Sequence, residues 1–234
     1  MSEFSLHKTI AFCHVNMKLL AEIESFILGK VPTLVNIPEN QLKERYGVSI
    51  EDDSGTEEFQ SIREYGFELL PDKTQEISLR LNMYSPKIRI RVNFIGGETG
   101  HSCISIAYEG ENAKMVAKDI CEHINILLHQ SSNHNWIFHP LPYGLTTIFA
   151  VVISTALGII SFVNAETTIS ALIYFLGILL CLSYAAIGIW LKPIILFDSK
   201  RSRTLDSFGR WAFGVLIALI VSISGTAIWE FCFH

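Results

Sequence analysis

Five side chains with metal-ligand chemistry lie near the middle of the chain: Cys121, His123, His129, His134 and His139. Thiolate and imidazole are the usual ligands of zinc, but a zinc site needs its ligands fixed in one tetrahedral constellation. Here they spread along a predicted helix end and the pre-hydrophobic stretch Ser131–Pro142, so no metal is assigned. The acidic run Glu51-Asp52-Asp53, with Glu57-Glu58, has the carboxylates for a divalent ion but reads as a solvated loop. No phosphate-binding glycine loop, nucleophile elbow or HExxH helix occurs. The chain is therefore read as a non-enzyme without a cofactor.

One charged group stands apart. Arg80, Arg89 and Arg91 share the polar face of two adjacent predicted strands, with Lys87, Tyr84 and Asn93 nearby. Like charges directly opposite on a sheet repel unless something anionic meets them. Residues 1–142 carry 13 Lys+Arg against 19 Asp+Glu, so a basic patch there is a local exception to an acidic background. The expectation is a surface that takes a phosphate, a nucleic acid or an acidic protein. The plain alternative is a wet sheet face balanced by Glu68 and Glu76.

The elements that must position this patch are read from periodicity. Leu6, Ile10, Cys13, Met17, Leu20, Ile23 and Ile27 recur at helical steps, which predicts one amphipathic N-terminal helix ended by Gly29 and Pro32. Short helices are predicted over Pro38–Tyr46 and Glu57–Tyr65. The period then changes to two. Glu76–Tyr84, Lys87–Ile95 and Ser102–Tyr108 alternate apolar and polar residues, with turns at Ser85-Pro86 and at Gly96-Gly97-Glu98-Thr99-Gly100. A last helix, Ala113–Gln130, follows Asn112 and carries the stripe Val116, Ile120, Ile124 and Leu127. The fold class expected for residues 1–130 is α+β, with helices on a three-stranded antiparallel meander. Residues 131–142 read as a linker.

The remainder has another composition. Residues 143–234 hold only 5 Lys+Arg and 4 Asp+Glu. Tyr143–Val163, Ile169–Leu191 and Trp211–Trp229 contain no charge, and each is long enough for a bilayer core of about 30 Å. An all-α bundle of three transmembrane helices is expected, in contact with a lipid bilayer. Lys192, Lys200, Arg201, Arg203 and Arg210 lie between the second and third windows. The positive-inside rule then places that loop and the N-terminus in the cytoplasm and the C-terminus outside, in a bacterial inner membrane. Gly214, Ala218, Ser222 and Thr226 repeat small residues every four positions, and Ser154 and Gly158 share the spacing. Such faces bring helices into close contact, within one chain or between chains of a homo-oligomer. The cysteines Cys13, Cys103, Cys121, Cys181 and Cys232 contain no CxxC pair and read as free thiols.

The layout, a folded N-terminal part followed by a short hydrophobic bundle, resembles the small transmembrane effectors of bacterial anti-phage systems of the retron and abortive-infection kind. That resemblance implies a multi-pass, toxin-like membrane effector in antiviral defence, restrained by a cytoplasmic protein or ribonucleoprotein partner. The alternative is a non-catalytic membrane anchor or assembly subunit of a cytoplasmic complex.

Overall fold

The computed structural model describes residues 2–10, 12–96, 101–133, 194–204, 207 and 211. In chain order the described elements are β1 (Ser2–Thr9), β2 (Cys13–Val15), α1 (Met17–Gly29), α2 (Val31–Val35), α3 (Glu39–Lys43), β3 (Tyr46–Asp52), β4 (Gly55–Phe59), a 3-10 turn (Ile62–Tyr65), β5 (Glu76–Tyr84), β6 (Lys87–Ile95), β7 (Cys103–Gly110), α4 (Ala113–Gln130) and β8 (Ile195–Phe197). Six strands form one antiparallel sheet in the order β1-β7-β6-β5-β3-β4. A separate parallel pair joins β2 to β8.

Alternation dictates the layers. Ile77, Leu79, Leu81 and Met83 of β5, with Ile88, Ile90, Val92 and Phe94 of β6, are all buried on one face of the sheet. Ile104, Ile106 and Tyr108 of β7 and Val48 and Ile50 of β3 extend that face. Against it lie Leu19, Leu20, Ile23 and Ile27 of α1 and Val116, Ile120, Ile124 and Leu128 of α4. Each such side chain contributes roughly 1.5–3 kcal/mol of burial. One continuous core therefore fixes the sheet in register, because a one-residue slip would turn the apolar row to the opposite face.

The expected fold class is corrected in two respects. First, the meander of three strands is part of a six-stranded sheet. The N-terminal helical repeat is in fact a strand, a break and then a helix. Residues of β1 pair with β7 from Phe4↔Tyr108 to Thr9↔Cys103. The helix begins only at Met17, where Asn16 Oδ1 accepts the Leu19 N–H at 2.8 Å. Leu6, Ile10 and Cys13 mimic a helical stripe, but capping and long-range pairing decide the outcome. Tyr46 opens β3 rather than closing a helix, and Glu57 and Glu58 belong to β4. Asn112 sits at the start of α4 in the left-handed region (φ 54°), without a side-chain cap.

Second, no helix among the described residues is long and apolar enough to cross a membrane. The longest, α4, has 18 residues but carries Lys114, Lys118, Asp119 and Glu122 on its wet side. The three-span bundle is therefore not part of the observed fold class, and placement as an integral inner-membrane protein, with a defined inside and outside, is withdrawn. The windows 143–163, 169–191 and 211–229 lie outside the described residues except for Trp211. So do Ser154, Gly158, Gly214, Ala218, Ser222 and Thr226, on which helix association and the homo-oligomer rested, and Lys192 and Arg210.

Candidate functional site: the open face of the sheet

The face opposite the core is built from the other half of each alternation. Register lines up its residues in rows across the strands. One row runs Gly47, Arg80, Arg91, Ser105, His7 from β3 to β1. The next runs Asn82, Arg89, Ala107, Ser5. On the other side of the arginine row lie Ser49, Ser78, Asn93, Cys103 and Thr9. Most of these side chains are small. The long ones are the arginines, so the face is a shallow bed with guanidinium groups rising from its centre.

Arg80 and Arg91 are direct cross-strand partners, and Arg89 stands two residues from Arg91 on the same face of β6. Directly opposed residues have Cβ atoms about 5 Å apart. Three positive charges thus share two adjacent rows. They differ in what meets them. Arg80 reaches across β3 to Glu58 on β4, with Nη2 donating to Oε1 at 2.8 Å. Gly47, its neighbour on β3, presents no side chain in the way. Lys87 likewise reaches Glu3 on β1, with Nζ donating to Oε2 at 2.8 Å. Arg89 and Arg91 are exposed, and neither has a carboxylate within ion-pair distance among the described residues. Tyr84 is 76% exposed at the margin of the bed, opposite Lys87. Beside Arg91, the Asn93 side-chain oxygen is shut off from water and takes no hydrogen bond. Glu68 and Glu76, the residues expected to balance the face, make no ion pair with these arginines.

The other charged clusters have structural partners. Asp52 closes the β3–β4 hairpin by accepting the N–H groups of Ser54 and Gly55 at 2.7 and 3.2 Å. Asp53 accepts from Lys73 and Gln75, which hold its carboxyl below the usual range. The His123 ring stacks on Phe26 at 5.2 Å, and its Nδ1 donates to the Asp119 carbonyl at 3.0 Å. Among the described residues no three His, Cys, Asp or Glu side chains converge on a point where a metal would sit. His134 and His139 lie outside the described residues.

Sequence reasoning missed a buried carboxylate. Glu24 on α1 is 6% exposed and accepts from Ser61 Oγ at 2.6 Å and from the Ile62 N–H at 2.7 Å. It fastens the 3-10 turn to α1. Burial, and next the nearby Glu24 carboxylate, push the Tyr46 phenol well above its ordinary range. The visible signal was a Glu on the apolar stripe of a helix, which alone does not say what meets it. Of Arg201 and Arg203, expected to mark topology, Arg201 is tied to the N-terminal fold through its N–H, which donates to Asp72, while Arg203 pairs locally with Asp198.

The arrangement can bind an anion, with Ser105 and His7 as cross-strand neighbours beside Arg91. Comparisons with known protein families, curated proteins and solved structures find no match to this chain.

Proposed function

We propose that the chain is a non-catalytic docking subunit that takes an acidic segment of a partner protein on the open face of its sheet. The observation carrying this is the pair Arg89 and Arg91, unmatched by any carboxylate among the described residues yet placed beside Arg80 in strict register. Guanidinium forks suit carboxylates, each giving two parallel hydrogen bonds. The small neighbours Ser105, Ala107 and Ser5 leave room for a chain to lie across the strands.

An acidic protein segment suits the face better than a nucleic acid. The bed holds three arginines, one of them already paired with Glu58, which are few cations for a run of phosphates. Nucleic-acid affinity rises with the number of phosphates neutralised. The interior of the bed also has no aromatic side chain on which bases could stack.

The test compares wild type with the triple variant Arg80→Gln, Arg89→Gln, Arg91→Gln. A labelled Glu-rich peptide should bind wild type and be lost from the folded variant. An oligonucleotide of equal charge should bind more weakly than the peptide. A peptide bound equally by both proteins, or an oligonucleotide bound in preference, would refute the reading. The same step would restrain an effector of the antiviral kind: on expression with its partner, the triple variant would then arrest growth where wild type does not.

A further inference from the structure

A groove of about 430 Å³ runs along one side of α1, bounded elsewhere by α3 and by residues 60–64. Ala21, Glu24, Ser25 and Leu28 line it from α1, at the three- and four-residue steps of a single helix face. Glu39 and Lys43 of α3 face them with Arg63 and Glu64 of the 3-10 turn, and all four are exposed. Because α1 packs on the core side of the sheet, this groove and the arginine face lie on opposite sides of the domain.

Glu24 is the group that asks for a ligand. Its residue is 6% exposed and it lines the groove, so the small part left open faces that space. Each carboxylate oxygen accepts one bond, from the Ser61 hydroxyl and from the Ile62 N–H. A carboxylate can accept about four. The Tyr46 hydroxyl, buried nearby, takes no hydrogen bond. Burial, and then the charge of Glu24, raise that phenol, so the two groups are close without meeting in bonding geometry. No Lys, Arg or His stands within ion-pair distance of Glu24 among the described residues. A buried charge is costly unless an opposite charge meets it. The groove as a whole repeats the imbalance: three carboxylates, Glu24, Glu39 and Glu64, against two cations, Lys43 and Arg63. One added positive charge balances it.

We infer that the groove takes a small organic amine, with its ammonium group on Glu24 and its hydrocarbon part along Ala21 and Leu28. An ammonium group brings three N–H donors to the acceptor positions that Ser61 and Ile62 leave open. A metal ion fits less well, since among the described residues no three His, Cys, Asp or Glu side chains converge to hold one. The volume is that of a small-molecule site. A protein partner would need a far wider surface than this groove offers.

The test titrates the isotope-labelled full-length protein with n-butylammonium chloride and follows the Ile62 amide by NMR, because that N–H donates to Glu24. Sodium chloride at equal ionic strength, n-butanol and butyrate are the inorganic, neutral and anionic controls. The Ile62 signal should move saturably with n-butylammonium and with none of the controls. Glu24→Gln keeps an acceptor for Ile62 but removes the charge, and should weaken binding at least about tenfold. Ser25→Phe alters an exposed position of α1 and fills the groove. It should abolish saturation while leaving the urea midpoint near wild type, which keeps the test valid if Glu24→Gln folds poorly. Arg89→Gln with Arg91→Gln should bind the amine as wild type does, so failure at one site is told apart from failure at the other. A response to n-butanol or sodium equal to that with n-butylammonium would overturn the inference. So would undiminished binding in Ser25→Phe, or a lysine-containing peptide that binds where n-butylammonium does not.

Discussion

Replacing Glu24 by Leu should destabilise the domain by about 2 kcal/mol, the cost of stranding a buried N–H group. The carboxylate receives one bond from Ser61 and one from the Ile62 backbone. Leucine fits the apolar stripe of α1 but offers neither bond. The Ser61 hydroxyl is partly buried and can turn to water, so its loss is small. The Ile62 N–H is buried with its residue 1% exposed, and no water reaches it there. An unsatisfied buried backbone donor costs roughly 1–3 kcal/mol. Relief from burying a carboxylate offsets part of that. Glu24→Gln keeps a carbonyl acceptor for Ile62, so its cost should be about 1 kcal/mol, the loss of charge assistance. For a domain of this size the Leu variant corresponds to a fall in Tm of roughly 8 °C. Urea unfolding of the full chain, followed by circular dichroism, gives the midpoint and slope for all three proteins. A lower midpoint at unchanged slope is the expected signature. Should Glu24→Leu unfold at the wild-type midpoint, the bond to Ile62 is not a structural tie and the account of the 3-10 turn fails.

Further outcomes follow from other contacts. Leu79→Ala, at a fully buried position in the centre of β5, should cost about 2–5 kcal/mol by the same urea assay, because it leaves a cavity between sheet and helices. Gly96→Ala places a Cβ 3.0 Å from the Phe197 ring and 3.4 Å from the Gln75 and Thr74 carbonyls. It should lower the midpoint in the same urea assay, because the Phe197 ring and the chain at Gln75 must shift to admit it. Hydrogen bonds from Arg203, and less so the charges of Arg203 and His14, hold the Asp198 carboxyl below its ordinary range. That contribution to stability is complete above the unfolded Asp pKa of about 3.9 and is lost as pH falls through the lower native value. Amide exchange in β2 and β8, normalised to intrinsic rates, should therefore quicken on acidification, and this step should vanish in Asp198→Asn. Glu68, near Arg203, acts in the same direction on the arginine and is kept constant in that comparison.

How legible the fold was depends on how far each element's partner lies along the chain. The alternations at Glu76–Tyr84 and Lys87–Ile95 are clean because both strands lie inside the sheet with one wet face, and the structure has strands over the same residues. The stripe of Ala113–Gln130 is legible for the same reason, since one side packs on the sheet. Edge strands carry less signal. β4 exposes Gly55, Thr56, Glu57 and Glu58 alike, so no apolar rhythm marks it. β1 is paired on one side only, and its Leu6 falls in step with the helical residues that follow. β8 has three residues and a partner some 180 positions away, which no local pattern encodes. The arginine face was legible as a set of residues, because alternation alone puts Arg80, Arg89 and Arg91 on one side. That Arg80 is neutralised by Glu58, while Arg89 and Arg91 meet no carboxylate among the described residues, depended on the β3–β4–β5 register, which the sequence conceals.

That difference between matched and unmatched cations gives the central claim its sharpest test. Affinity for a Glu-rich peptide is measured against salt for wild type, for Arg89→Gln with Arg91→Gln, and for Lys87→Gln, whose cation already pairs with Glu3. If the open face docks an acidic segment, the double arginine variant should bind about tenfold or more weakly, equivalent to roughly 1.4 kcal/mol. Its salt dependence should also be flatter, as fewer charges are neutralised on binding. Lys87→Gln should stay within about twofold, because an exposed pair contributes little either way. Equal affinity and equal salt dependence in wild type and the double arginine variant would contradict the account.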